Sequence, residues 1–241
     1  MAKLQISGTT ANVIWATLLG GPMSDSASAI ALDGAGNVYI TGSTDGQFPT
    51  TSGSFAPGGP SGVFVAKFNR EGSKVIYSTY LPEVMGGILP NYRANAAGIA
   101  VDAAGSAYIT GYTGFDQLFV TKLKPDGSAR LYNTTLSGVN GAFGSAITVD
   151  AEGNAYVTGF TSSPDFPVTA GAFQTKLKGN PDAFVTKLDP AGNVIYATFL
   201  GGSGYDIAYT IQADAKDTPT WRAWLPRSIS RPPPAHGKPS P

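Results

Sequence analysis

The residues best placed to do chemistry are three aspartates in a recurring frame. "LDGAGNVYITGS" (residues 32–43), "VDAAGSAYITGY" (101–112) and "DAEGNAYVTGF" (150–160) set Asp33, Asp102 and Asp150 at equivalent positions, each followed by a glycine, a tyrosine and a threonine. Carboxylates in such numbers could work as general acid and base, or as hard oxygen ligands for calcium. The spacing favours neither. A lone turn aspartate offers too few oxygens for an ion that takes about 6–8, and the chain has no D-x-D-x-D-G loop. The only histidine, His236, lies in an aberrant C-terminal stretch, so Ser-His-Asp catalysis and histidine-based zinc chemistry lack their central residue. No cysteine is present to serve as nucleophile or thiolate ligand. The aspartates therefore read as turn residues whose carboxylates accept backbone N–H bonds. No catalytic residue, metal ligand or cofactor is assigned.

The elements that carry these aspartates are short strands. "AITVD" and "AYVTGFT" alternate by the two-residue period of a strand, and "DAEGN" between them supplies Asp150 and a glycine suited to a tight hairpin. "AFVTKLD" and "NVIYATFL" form a second pair around "DPAGN". Two hairpins in series make one four-stranded antiparallel blade, and self-similarity at a period of some tens of residues is the mark of a solenoid or propeller. The other copies keep the order: "VFVAKFN" and "LFVTKLK" match the third strand, and Tyr77, Tyr132 and Tyr196 match on the fourth. The N-terminal "AKL…ANVIWATLLGG" aligns with "TKL…GNVIYATFLGG", which puts Trp15 at the tyrosine position. Lys67, Lys122 and Lys187, once per blade between apolar neighbours, read as edge or rim residues with snorkelling stems.

The expected fold is all-β, a β-propeller of four-stranded antiparallel blades, partial or incomplete. Residues 1–21 are the second half of a preceding blade, 22–81 blade one, 82–136 blade two with an inserted loop at 82–95, 137–202 blade three, and 203–216 the start of a fourth. Pairing the N-terminal half with the trailing strand would close a four-bladed ring; the favoured reading is a piece of a larger propeller. Residues 217–241 lose the alternation, the glycine and the tyrosine, and read as a Pro-rich disordered extension. A one-base slip explains them better. Pro219–Ala223 in the shifted frame can encode Ala-Tyr-Val-Ala-Gly, and Ile229–His236 can encode Phe-Pro-Thr-Thr-Pro-Gly-Ala, both in register with the blades.

The joint pattern D-x-x-G-x-x-Y-[IV]-T-G, F-P-x-T-x-G-x-F, F-V-x-K and Y-x-T-x-L-G-G resembles the bacterial SBBP (seven-bladed β-propeller) repeat family across nearly all of residues 1–216. The resemblance implies a propeller of large secreted or cell-surface bacterial proteins. It carries over no catalytic residue.

Composition narrows the partners. Lys plus Arg (16) balance Asp plus Glu (16), with no basic cluster to follow a phosphate backbone, so nucleic acid is not expected. No apolar run reaches the roughly 18 residues of a membrane span, and "MAKLQISGTT" lacks a signal peptide's apolar stretch. What the repeat leaves unexplained is where binding residues concentrate, on loops held by a rigid scaffold. Tyr92 and Arg93 in the 82–95 insertion are the first candidates, since Tyr and Arg are favoured interface anchors. Asp45, Gln47 and Phe48, with Asp165 and Phe166 in the matching "FPTTSGSF" and "FPVTAGAF" loops, are the second. The expected function is a non-catalytic scaffold presenting loops to a protein or glycan. A propeller lyase or hydrolase with a channel site, and a non-functional gene fragment, are the rival readings.

Overall fold

Every blade grows from the same local chemistry: alternating strands, an Asp-to-Gly turn, a second turn with a left-handed glycine. The computed structural model describes residues 1–59, 61–82 and 94–213, and the backbone alone of residues 219–224. Strands β1 (Ala2–Ser7) and β2 (Thr10–Ala16) form a two-stranded sheet. Blade one is β3 (Asp25–Leu32), β4 (Val38–Thr44), β5 (Gly62–Phe68) and β6 (Val75–Leu81). Blade two is β7 (Asn95–Val101), β8 (Ala107–Tyr112), β9 (Leu118–Leu123) and β10 (Arg130–Leu136). Blade three is β11 (Ala142–Val149), β12 (Ala155–Thr161), β13 (Asp182–Leu188) and β14 (Val194–Leu200). A second two-stranded sheet, β15 (Ile207–Ala213) with β16 (Pro219–Trp224), follows.

Each blade is an antiparallel meander in sequence order. The irregularities repeat as faithfully as the strands. The pairing of strands one and two is broken by a bulge between Ala27 and Ala29, Ala96 and Gly98, Gly144 and Ala146, and Ala208 and Thr210. A bulge adds twist and re-aims the chain, so repeating it at one position gives every blade the same shape. The first strand of each blade lies on the preceding one: β7 packs against β3 and β4, β11 against β7 and β8, β15 against β11 and β12. The apolar cores sit in these seams. One joins Tyr39, Val63, Val65 and Tyr77 of blade one to Ile99, Ile109 and Phe119 of blade two; another joins Tyr108, Leu118 and Val120 of blade two to Ile147, Val157 and Phe184 of blade three.

The five sheets form an open propeller, in which β1–β2 and β15–β16 stay separate. One expectation is corrected. Within the stretch read as lacking strands, Pro219–Trp224 pair with β15 in the blade register, from Ile207↔Trp224 to Ala213↔Pro219. An unpaired strand edge offers a row of N–H and C=O groups that an extended segment after a turn can satisfy, whatever its side chains. Residues 225–241, including His236, lie outside the described residues.

Candidate functional site

The repeated aspartates meet the repeated tyrosines and lysines in three copies of one cluster. In blade one, Asp33 opens the β3–β4 turn and accepts bonds from the backbone N–H of Ala35 (3.0 Å) and Asn37 (2.8 Å) and from the Asn37 side-chain amide (2.8 Å). The Lys67 ammonium lies 3.6 Å from the same carboxylate and 4.7 Å from the centre of the Tyr39 ring. In blade two, Asp102 accepts from the Ser106 N–H (2.8 Å) and the Tyr108 hydroxyl (3.0 Å), with Lys122 at 3.5 Å and over the Tyr108 ring at 4.6 Å. Blade three repeats this with Asp150, Asn154, Tyr156 and Lys187. Register makes the cluster, because the tyrosine and lysine are direct cross-strand partners in all three: Tyr39↔Lys67, Tyr108↔Lys122 and Tyr156↔Lys187.

The lysines therefore correct the sequence reading. They stand on a third strand paired on both sides, not at an edge, and Lys67 and Lys122 are buried. Burial of a cation is tolerated here because a carboxylate and a ring face receive it.

The cluster also fastens one blade to the next. The Tyr39 hydroxyl is 2.9 Å from the Gly105 carbonyl and 3.3 Å from Asp33, so its single proton faces both a neighbouring blade and its own turn. Tyr108 stands likewise between Asp102 and the Gly153 carbonyl, at 3.2 Å. Burial, then the nearby aspartate charge, pushes the Tyr39 and Tyr108 hydroxyls well above the usual phenol range. For Asp33 and Asp150, burial acts to raise the carboxyl, but the asparagine bonds, the tyrosine hydroxyl and the lysine charge outweigh it and leave it lowered. These carboxylates are ionised anchors with their oxygens engaged, unlike a general base that must be open to a substrate. Among the described residues, no three His, Cys, Asp or Glu side chains gather as metal ligands would.

The loop candidates separate into anchors and presented groups. Phe48 is only 4% exposed, stacked on Phe64 (centroids 3.9 Å apart) and edge-on to Tyr80, whose hydroxyl accepts the Phe48 N–H at 2.7 Å. Phe166 is 2% exposed against Phe184 and Phe199. Both rings hold their loops down and leave little surface for a ligand. Asp165 accepts the Val139 N–H at 3.0 Å, and Gln47 takes a left-handed φ of 52°. Tyr92 and Arg93 lie outside the described residues. Blade two separates the Asp45 loop from the Asp165 loop, so the members of the second candidate group stay apart in the chain's order of blades.

Asp45 does line a cavity. It holds about 80 Å³ and is walled by Ser24, Ser26, Ser43, Thr44 and Ala94. Sequence reasoning missed its serines. Ser26 and Ser43 are a cross-strand pair, recoverable from the β3–β4 register, but Ser24 and Ser61 come from loops whose approach no periodicity encodes.

Sheet order, repeated bulges and blade-to-blade clusters define a β-propeller left open. Two segments, residues 14–49 and 134–167, match the SBBP β-propeller repeat, and each runs from a fourth strand through strands one and two of the next blade to the Phe-Pro loop. No curated protein matches the chain. Among solved structures it is similar to a DUF4623 family protein from Bacteroides eggerthii, at 14% identity and a TM-score of 0.31. That match covers 86% of this chain, which spans 57% of the other.

Proposed function

We propose that this chain is a non-catalytic propeller scaffold of a secreted or cell-surface bacterial protein, and that its rim loops bind a protein or glycan. One observation carries the reading: the polar groups that recur are all committed to turns and seams. Asp33, Asp102 and Asp150 each hold turn amides, a tyrosine and a lysine. What varies between blades is the rim. The cleft of Asp45, Ser24, Ser26 and Ser43 offers hydroxyl donors and acceptors beside a carboxylate, the groups that exchange bonds with sugar hydroxyls. Ala94, within the 82–95 insertion, lines the same cleft, so the described end of that segment lies beside Asp45.

A glycan array probed with the labelled chain tests this, alongside Asp45→Ala and Ser43→Val. The reading expects retained glycans whose signal drops at least about tenfold in Asp45→Ala, for a charged hydrogen bond, and roughly two- to tenfold in Ser43→Val, for a neutral one. Release of shortened or unsaturated sugars from those glycans would establish an enzyme instead, and signals unchanged by either variant would remove the cleft from the account.

A further inference from the structure

The first and last described sheets present complementary halves of one blade. β1–β2 is a strand-three and strand-four hairpin, because Lys3 aligns with Lys67 and Trp15 with Tyr77. Trp15 lies against Gly72 of blade one, as Tyr77 lies against Gly127 of blade two and Tyr132 against Gly192 of blade three. β15–β16 is a strand-one and strand-two hairpin, with the bulge of that pair. In whole blades, strand two pairs with strand three; among the described residues, β16 and β1 each keep that edge unpaired.

Two faces stand open at the same places. Ile30 on β3 is 61% exposed, whereas its equivalents Ile99, Ile147 and Ile211 are 8%, 7% and 9% exposed under the blade before them. Leu32 beside it is also exposed. At the other end, Tyr196 and Phe173 occupy the positions of Tyr77 and Phe55. Between blades one and two those positions hold a hairpin: Gly127 sits against the Tyr77 ring and its carbonyl accepts the Phe55 N–H at 2.8 Å. On blade three no hairpin among the described residues fills the socket. Phe173 is 66% exposed, and a cavity of about 270 Å³ opens among Phe173, Ile195, Tyr196 and Thr198.

We propose that a second copy of this chain fills both openings, head to tail. The β1–β2 hairpin of one copy enters the Tyr196–Phe173 socket of the other, and β16 of that other copy pairs along β1. The β15–β16 sheet then covers Ile30 and Leu32, as β3 and β4 cover Ile99. Each contact continues a seam that already exists within the chain, so the occupant is a blade half of this repeat and not an unrelated apolar surface. Among the described residues the half-blades remain apart within one chain, which favours a pairing between two copies. A heterologous contact of this kind closes if the rotation allows. The inference is independent of the proposed ligand.

The Tyr39↔Lys67 pairing fixes the joint, because Thr220 stands at the Tyr39 position of β16 and Lys3 at the Lys67 position of β1. The chain has no cysteine, so introduced thiols are the only ones. Lys3→Cys and Thr220→Cys, made separately in the full chain, mixed and oxidised, should give a disulfide-linked dimer at twice the 24.8 kDa chain mass. Lys3→Cys mixed with Asp126→Cys, on a distant turn, should not. Sedimentation equilibrium of the unaltered chain should show a dimer. Ile30→Lys, a change at an exposed position, should weaken it at least about tenfold, by analogy with losing one buried isoleucine. Folded variants that give no cross-link on mixing would overturn the inference. So would a Lys3→Cys/Thr220→Cys double variant that bridges only within itself as a monomer.

Discussion

Replacing Gly127 by alanine isolates the contact that stacks one blade on the next. Gly127 has φ +69°, and a Cβ there would enter the Tyr77 ring, which is 2% exposed and has no room to withdraw. Gly53 supplies the comparison: its φ is +78°, with nothing within 4 Å of the added carbon. Both substitutions force an L-residue into the left-handed region, at roughly 1–2 kcal/mol. Only Gly127→Ala also overpacks a filled seam, adding about 1–3 kcal/mol. Urea unfolding followed by circular dichroism should therefore place Gly127→Ala below Gly53→Ala by about 1–3 kcal/mol. Trimming the ring should return part of that loss, so Tyr77→Leu with Gly127→Ala should lose less than the sum of the two single changes. Equal losses for the two glycines, or additivity within about 0.5 kcal/mol in the double variant, would refute the seam as described.

Lys122→Met leaves Asp102 without its cation and the Tyr108 ring without its partner, so chemical denaturation should register a loss on the order of 3 kcal/mol. Phe48→Ala empties a ring stacked on Phe64 and should cost about 3–5 kcal/mol in the same assay. Asp33 and Asp150 have folded carboxyls below the ordinary value of 3.8. Their contribution is present above that value and lost as pH falls through the lower folded one, so Asp150→Asn should flatten the acid side of a stability-against-pH curve. Tyrosines act at the other end. Burial pushes Tyr196 up to about 12, and Tyr39 and Tyr108 are raised further, so the stability they add holds below the usual phenol value of 10 and fades above it. Tyrosinate absorbance should show fewer titrating phenols near pH 10 in the folded chain than in urea.

The blade was legible because it is local. Alternation, an aspartate at the first turn and a glycine at the second specify each hairpin within a short span, and four-stranded meanders follow. The turn role of Asp33, Asp102 and Asp150 was legible for the same reason. The lysines were misread because a charge among apolar residues looks like an edge position until cross-strand register sets it over Tyr39, Tyr108 or Tyr156. That pairing is the same in all three blades although the loops between strands two and three differ in length, so no fixed spacing along the chain gives it. The seams were not legible at all. Nothing local says that the Tyr39 hydroxyl reaches the Gly105 carbonyl. Phe55 and Phe173 show the limit well: they are equivalent in sequence, yet Phe55 packs into the core shared with blade two while Phe173 is exposed, because among the described residues only Phe55 has a following hairpin against it.

Proton chemical shifts of three glycines test the claim that all the blades stack through one repeated contact. An aromatic face lies over Gly72, Gly127 and Gly192, from Trp15, Tyr77 and Tyr132 in turn. Their Hα resonances should all move strongly upfield of the other glycines, with nuclear Overhauser contacts to those rings, and Tyr77→Leu should return Gly127 alone to an ordinary position. Ordinary shifts at all three, or contacts to rings of their own blade, would contradict the architecture.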